Sequence, residues 1–259
     1  MLAEERRQQI LEMIQQEGRV IAKDLSEQFN ISIDSVRRDL TIMEKQGLLQ
    51  KTYGGAMLLS PLRKVRTLPL PEASRYGEPE SHQDSISKLA SSFIKEHDTI
   101  FIGGAGIQFG MLKYLPTDFS FTLVTNSMKI ADSVRKQANI TTYLIGGKLR
   151  TDSAGSMIDT LALEMLSQFT LDFGFITGGG ITENGICTAT PEGAAFSRKV
   201  AEISGKSVCL APHEKLGQKM FITSVPLEQI DIIITDQAAS EKIVNEIEKR
   251  NVDIIFADA

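Results

Sequence analysis

No stretch of this sequence holds the run of about eighteen apolar residues that a membrane span requires. The opening segment, MLAEERRQQILEM, is charged and amphipathic and lacks the apolar core of a secretion signal. These absences predict a cytoplasmic chain with no membrane partner. Cysteine is nearly missing: Cys187 and Cys209 are the only two among 259 residues, and neither has a cysteine or histidine beside it at zinc-site spacing. Two buried structural thiols are expected, with no metal and no cofactor. The three histidines, His82, His97 and His213, enter no Ser-His-Asp order, and no G-x-S-x-G elbow occurs. His213, in APHEKLG, is the one histidine at the end of an expected strand. Asp159 and Glu192 suit helix caps or surface charge as well as acid or base chemistry. No catalytic residue, and no enzyme, is expected.

What remains is globular material, 42% hydrophobic and 24% charged, long enough for a small domain followed by a medium one. The net charge of −5 argues against a surface that coats nucleic acid throughout. The average hides an asymmetry. Residues 1–66 carry 11 basic and 9 acidic side chains, and the rest of the chain carries 17 and 24. Arg37, Arg38, Lys45 and Lys51 fall in the basic part, which suits a small anion-binding module on a negative body.

Three short helices are predicted before Tyr53. The first spans residues 3–16, with Ile10, Leu11 and Ile14 on one face, and Gly18 stops it. The second spans 21–29 with Leu25 and Phe29 four apart, and Asn30 breaks it. Ser32 can cap a third, 33–45, whose buried stripe is Val36, Leu40 and Met43. Asp34, Ser35, Arg37 and Arg38 then fall on its outer side near the N-terminus, where backbone N–H groups and the helix dipole favour phosphate and arginine can read guanine. After Gly47, LLQKTYGGAML reads as a hairpin turning at Gly54-Gly55 and carrying Lys51 and Tyr53. A solvated helix face would explain two arginines alone; the helix-turn-helix spacing, the basic hairpin and the charge asymmetry together point to double-stranded DNA.

The string ISIDSVRRDLTIMEKQGLLQKTYGGA, from Ile31 to Ala56, resembles the winged helix-turn-helix of DeoR-type bacterial sugar-operon repressors. That family's pattern is V-S-x-x-T-I-R-R-D-L followed by R-x-H-G-G-A; here Ser35 stands for the common threonine and Tyr53 for the histidine. The resemblance implies operator contacts from Ser32, Asp34, Ser35, Arg37, Arg38, Lys51, Tyr53 and Gly54.

Residues 59–82 include Pro61, Pro69, Pro71 and Pro79, show little periodicity and read as a linker. Beyond them, strand candidates at 99–102, 121–125, 141–145, 173–177, 207–211, 230–235 and 252–256 alternate with helical patterns, which predicts a mostly parallel sheet covered on both faces. Ligands in such folds bind beyond the strands' C-terminal ends, where Gly103-Gly104, Gly146-Gly147 and Gly178-Gly179-Gly180 lie. This half resembles the DeoR-type sensor domain, a Rossmann-like body related to sugar-phosphate isomerases. VTNS (124–127), LIGGKLR (144–150), Asp172, the 180–185 loop and KLG (215–217) carry the likeness. The expected organisation is therefore a winged helix-turn-helix at 1–58, a linker at 59–82 and an α/β effector-sensing and oligomerisation domain at 83–259.

In that family the first strand leads into D-S-G-T-T, which cradles a phosphorylated sugar. Here FIGGAGIQFG sets Gly103, Gly104, Ala105, Gly106 and Ile107 against those residues, so the carboxylate and both hydroxyls are gone. Asp159, Ser197 and Pro212 depart from the family pattern as well. The effector candidates are Gly103, Gly104, Gly106, Thr125, Asn126, Gly146, Gly147, Arg198 and Lys215. Two readings stand: a backbone-only phosphate loop, or a changed or lost effector. A dinucleotide loop is poorer, since Phe109 stands where glycine is needed. The whole reads as a transcription regulator, a repressor acting as a homodimer or homotetramer on operator DNA and answering to a small metabolite, phosphorylated or not. An isomerase-like enzyme carrying a DNA-binding appendage is the alternative from another class.

Overall fold

The computed structural model describes residues 3–17, 19–45, 48–58, 79–150 and 156–258. The chain divides into two units, Met1–Lys64 and Val65–Ala259. Of the expected linker, residues 59–78 lie outside the described residues, as do Gly18 and Gly47. No helix among the described residues is long and apolar enough to cross a membrane.

The first unit contains α1 (Ala3–Glu17), β1 (Arg19–Ile21), α2 (Ala22–Gln28), α3 (Ile33–Lys45), β2 (Leu49–Thr52) and β3 (Gly55–Leu58). Ile10 and Ile14 of α1, Leu25 of α2 and Val36, Leu40 and Met43 of α3 form its core. Asn30 takes a left-handed φ of 50° and ends α2, a conformation asparagine tolerates better than most residues. The Ser32 hydroxyl accepts the Ser35 backbone N–H at 3.2 Å and so caps α3.

Two expectations need correction. Ile21 does not start the second helix but ends a strand, pairing with Gly55 while Val20 pairs with Ala56 and Arg19 with Met57. The three strands run in the order β1-β3-β2. A three-residue strand is too short for alternation to announce it; its hairpin partner creates it. The hairpin turn falls at Tyr53 and Gly54 rather than at Gly54-Gly55. Gly55 already belongs to β3, where a Cβ would sit 2.0 Å from the Val20 carbonyl oxygen.

Asp39, in the third helix's R-R-D-L run, is buried, and its carboxylate meets Arg6 of α1, with Arg6 Nη2 and Nε each 2.7 Å from Oδ2. This bidentate pair ties α1 to α3 inside a low-dielectric site.

The second unit is a seven-stranded parallel sheet in the order β13-β12-β10-β7-β4-β5-β6. Its strands are β4 (Thr99–Ile102), β5 (Phe121–Thr125), β6 (Ile140–Leu144), β7 (Leu171–Ile176), β10 (Ser204–Leu210), β12 (Ile232–Asp236) and β13 (Asp253–Ala257). Adjacent residues on a strand face opposite sides, and both sides are apolar. Ile100, Ile102, Leu123, Phe175 and Val208 pack on one face. Phe101, Val124, Ile176, Cys209 and Ile233 pack on the other. The helices α4 (Ser81–Ser91), α5 (Gly106–Gly110) and α6 (Met128–Val134) supply residues to the first face. The second face takes α7 (Thr160–Leu166), α8 (Pro191–Ile203) and α9 (Glu241–Glu248).

Sequence periodicity did not reveal a second sheet. It is antiparallel and comprises β8 (Gly180–Thr182), β9 (Gly185–Thr188) and β11 (Ile222–Pro226) in the order β11-β9-β8. The Gly178–Gly180 stretch leads into this sheet. Both cysteines are free and buried, and burial pushes the Cys209 thiol up to about 12, leaving it protonated and inert.

Replacing Asp39 by alanine leaves the Arg6 guanidinium enclosed without its anion. We expect Asp39→Ala to cost the first unit about 3–5 kcal/mol. Arg37→Ala on the exposed side of α3 should stay within roughly 0.5 kcal/mol. Denaturant titrations followed by circular dichroism measure both, and equal losses would contradict a buried pair.

Candidate functional site

Helix α3 of the first unit turns Val36, Leu40 and Met43 inward, and geometry leaves Arg37 and Arg38 exposed on the other side. Arg37 makes only a loose surface pair with Asp34 at 3.6 Å, one turn earlier on the same helix. Ser32 and Ser35 sit at the capped end with their hydroxyls 2.9 Å apart. At the hairpin tip Tyr53 is fully exposed, and a Cβ on Gly54 would meet nothing within 4 Å. Lys51 differs from the rest. Its ammonium donates to Thr41 Oγ1 at 2.7 Å and its backbone N–H to Glu44 Oε1 at 2.8 Å, so it binds the hairpin to α3. Six of the eight expected residues are thus exposed at the helix end and hairpin tip, Ser35 is half-buried beside them, and Lys51 is half-buried and engaged.

In the second unit the strand order reverses between β4 and β7. From β4 the chain proceeds to β5 and β6 on one side; from β7 it proceeds to β10, β12 and β13 on the other. Connections leaving two such neighbours depart to opposite faces and open a crevice beyond their C-terminal ends. A pocket of about 150 Å³ lies there, lined by Phe101 of β4 with Gly103 and Gly104 after it, Ile176 at the end of β7 with Thr177 after it, and Asn126 after β5. The first turns of α8 line it through Gly193, Phe196 and Ser197, and Gln108, Arg150, Ser156 and Thr188 complete its polar wall. Arg150 is the one charged residue of this described lining, and no carboxylate is among it.

The nine expected effector residues divide. Gly103, Gly104 and Asn126 line the pocket. Gly106 starts α5 beside it and Lys215 lies one step behind, its ammonium 3.3 Å from Thr177 Oγ1. The others have structural partners. Thr125 is fully buried, and its hydroxyl accepts the Ser127 backbone N–H at 3.1 Å. Gly146 donates its N–H to the Met165 sulfur. Gly147 has a φ of 137°, and a Cβ there would come within 2.5 Å of Asp159 Oδ1. Arg198 turns away to the carbonyl oxygens of Ser224 at 2.9 Å and Thr223 at 3.2 Å, pinning β11.

Asp159 caps α7, accepting the Ala162 N–H at 2.9 Å, and Glu192 is exposed in the first turn of α8. Neither lines the pocket. His213 lies in the short turn that follows β10, just past the strand end where it was expected, with its Nδ1 2.8 Å from Asp236 Oδ1. Burial alone would raise the Asp236 carboxyl. Hydrogen bonds from the His213 and Ala238 backbone N–H groups, with the His213 ring, outweigh it and hold the group below its ordinary value.

The backbone of residues 103–107 is partly engaged within the fold. The Ala105 N–H is taken by Gln108 Oε1 at 3.1 Å, and Gln108 Nε2 donates to the Phe175 carbonyl at 2.6 Å. A Cβ on Gly104 would lie 2.3 Å from Ser156 Oγ, so glycine here admits a neighbouring segment. Arg150 was within reach of sequence reasoning, as the basic end of the LIGGKLR string. Ser197 was marked only as a departure from the family pattern, and Ser156 and Thr188 had no local signal, because only the packing of distant segments brings them together.

Comparison with known proteins fits both units. The DeoR-like helix-turn-helix domain model matches residues 6–61, and the DeoR C terminal sensor domain model matches residues 79–237. The HTH-type transcriptional repressor GlcR of Bacillus subtilis (strain 168) is 28% identical over 258 residues, covering 100% of this chain and 98% of that protein. The glycerol-3-phosphate regulon repressor of Escherichia coli (strain K12) is 27% identical over 228 residues, covering 88% of each. Among solved structures, ribose 5-phosphate isomerase A from Neisseria gonorrhoeae superposes with a TM-score of 0.38 at 16% identity, over 52% of each chain. A helix-turn-helix unit followed by a sensor-type α/β body, each matched by its own model, makes this chain a member of the DeoR family of transcriptional regulators.

Proposed function

We propose that the chain is a DNA-binding transcriptional repressor whose operator contacts come from the exposed side of α3 and the hairpin tip. The observation that carries this is the pair Arg37 and Arg38, exposed on a capped helix of a module that matches a DNA-binding family. Arg37 and Arg38 are the base-reading candidates, Ser32, Asp34 and Ser35 flank them at the helix end, and Tyr53 and Gly54 reach the backbone. Lys51 acts by holding the hairpin in place. Relatives named as repressors, including a glycerol-3-phosphate regulon repressor, favour repression over activation and a carbohydrate or related operon. A repressor of this kind works in the cytoplasm, where the chromosome is.

The effector we propose is a small metabolite with hydroxyl groups and one anionic end, of the sugar-phosphate class. Arg150 supplies the positive charge, the α8 N-terminal turns add their dipole, and Asn126, Ser156, Thr188 and Ser197 match hydroxyls. Occupancy would shift the population of DNA-competent arrangements through linkage. The chain acts as a homodimer or homotetramer, in which paired modules meet paired half-sites. Exposed Tyr143 and Leu144 on the edge strand β6, with Leu149 and Leu161 after it, favour a second copy on that side.

Arg37→Ala or Arg38→Ala is expected to weaken operator binding by about 1–3 kcal/mol, read by fluorescence anisotropy at fixed salt after mapping bound genomic sites. Unchanged affinity in both variants would defeat the reading. In a thermal-shift panel of sugar phosphates, Arg150→Gln should abolish the stabilisation that an effector gives the native chain. Arg198→Ala should keep it while lowering basal stability by about 1.5–3 kcal/mol, through loss of charged hydrogen bonds. The opposite pattern would return the ligand role to Arg198, and a panel without any shift would leave an effector-independent regulator. Sedimentation velocity should give a dimer or larger, and Leu161→Glu should shift it toward monomer.

A further inference from the structure

Away from the pocket, four potential metal ligands converge from three segments. His82 stands in the first turn of α4. His213 and Glu214 open the short turn His213–Lys215 after β10, and Asp236 ends β12. β10 and β12 are neighbours in the sheet, so two adjacent strand ends deliver three of the groups beneath the start of α4. One ligand atom from each residue lies within 4.8 Å of every other. His82 Nε2 is 3.2 Å from Glu214 Oε2, and His213 Nδ1 is 3.6 Å from that oxygen and 2.8 Å from Asp236 Oδ1. The two imidazole rings are 4.9 Å apart, centre to centre.

Tetrahedral zinc with bonds of about 2.0–2.2 Å spaces its ligand atoms roughly 3.3–3.6 Å apart. The His213–Glu214 separation of 3.6 Å matches that spacing and the His82–Glu214 one of 3.2 Å falls just short of it, while the His213–Asp236 hydrogen bond would open by about half an ångström when its proton gives way to the metal. The surroundings hold the donors in place. Asp236 accepts backbone N–H groups from His213 at 2.8 Å and Ala238 at 3.1 Å, and Glu214 Oε1 accepts from Gln83 Nε2 at 2.8 Å. Such outer hydrogen bonds orient metal ligands. Two neutral imidazoles and two carboxylates carry two negative charges, which a divalent ion neutralises. Two nitrogens with two oxygens suit zinc over the oxygen-seeking magnesium and calcium.

We propose that His82, His213, Glu214 and Asp236 form a four-ligand structural zinc site that fastens the first turn of α4 to the ends of β10 and β12. A closed site of four protein ligands is built for holding rather than for chemistry. Because His82 lies in the first turn of α4, the ion would hold that end of the helix against the strand ends beneath it.

The test is a zinc chloride titration of the chelator-stripped full-length protein by calorimetry, with a thermal-shift series and cobalt(II) absorption in parallel. We expect one zinc per chain, a rise in melting temperature, and the intense visible bands of tetrahedral cobalt. His82→Gln and Glu214→Gln alter partly exposed side chains, and each should lower zinc affinity by at least roughly tenfold. Asp236 is buried, so its variants are left out. Sub-stoichiometric zinc, magnesium bound as tightly as zinc, weak octahedral cobalt bands, or unchanged affinity in both variants would each overturn the site. Circular dichroism of the metal-free variants, matching the native chain, separates lost ligation from lost folding.

Discussion

The reversal of strand order between β4 and β7 is the constraint on which the second unit's function depends. A parallel sheet buried on both faces must send its connections over those faces, and right-handed crossovers assign each connection a side. Here α5 and α6 take one side, and α7, α8 and α9 take the other. Where the two winding directions meet, the connections part beyond the strand ends, and the pocket lies between them. Its walls then follow: backbone after β4 and β7, and the start of α8, whose Phe196 and Val200 anchor that helix on the sheet. The polar lining does not create the cavity; it is displayed in one that topology makes.

The first unit is organised differently. A module this small buries few side chains, so one enclosed ion pair carries a large part of its geometry. Arg6–Asp39 sets α3 against α1, Lys51 sets the hairpin against α3, and the Gly55 backbone sets it against β1. Arg37 and Arg38 occupy the neighbouring positions to Asp39 on the same helix, yet lie outside the core. One short run, R-R-D, therefore carries both kinds of residue, and their assignment follows from the 3.6-residue turn: Asp39 sits between Val36 and Leu40 on the buried stripe.

Much of this was legible in the sequence because it rests on local periodicity. The third helix appears over the expected residues, and β4 and β5 begin and end where expected. What failed to show has a common cause. The strands β1 and β8 have only three residues each, and pairing defines them: β1 is formed by β3, some thirty-five residues on, and the β8–β9 hairpin is completed into a sheet by the distant β11. Arg198 carries the right chemistry for a ligand, but whether a guanidinium faces a cavity or a strand's carbonyls depends on where β11 passes. The His82, His213, Glu214 and Asp236 cluster escaped a search by spacing for the same reason, since sheet neighbours β10 and β12 bring its members together.

The stretch FIGGAGIQFG condenses the difficulty. Its glycines suggest a loop left bare so that phosphate can approach the backbone. In the fold the bare face at Gly104 meets Ser156, and the Ala105 N–H is bound by Gln108. A five-residue helix follows, with little dipole to offer. The side chains that would hold an anion were removed, and the backbone groups that could replace them were partly engaged. If the proposed effector keeps an anionic end, its partner must lie elsewhere in the crevice. Arg150, on the segment after β6, and the thirteen-residue helix α8 are positive features of the described lining, with Lys215 one step behind. A ligand held there would meet Ser156, which itself packs against Gly104, so the β4 loop shapes the pocket by contact while the charge comes from the Arg150 side.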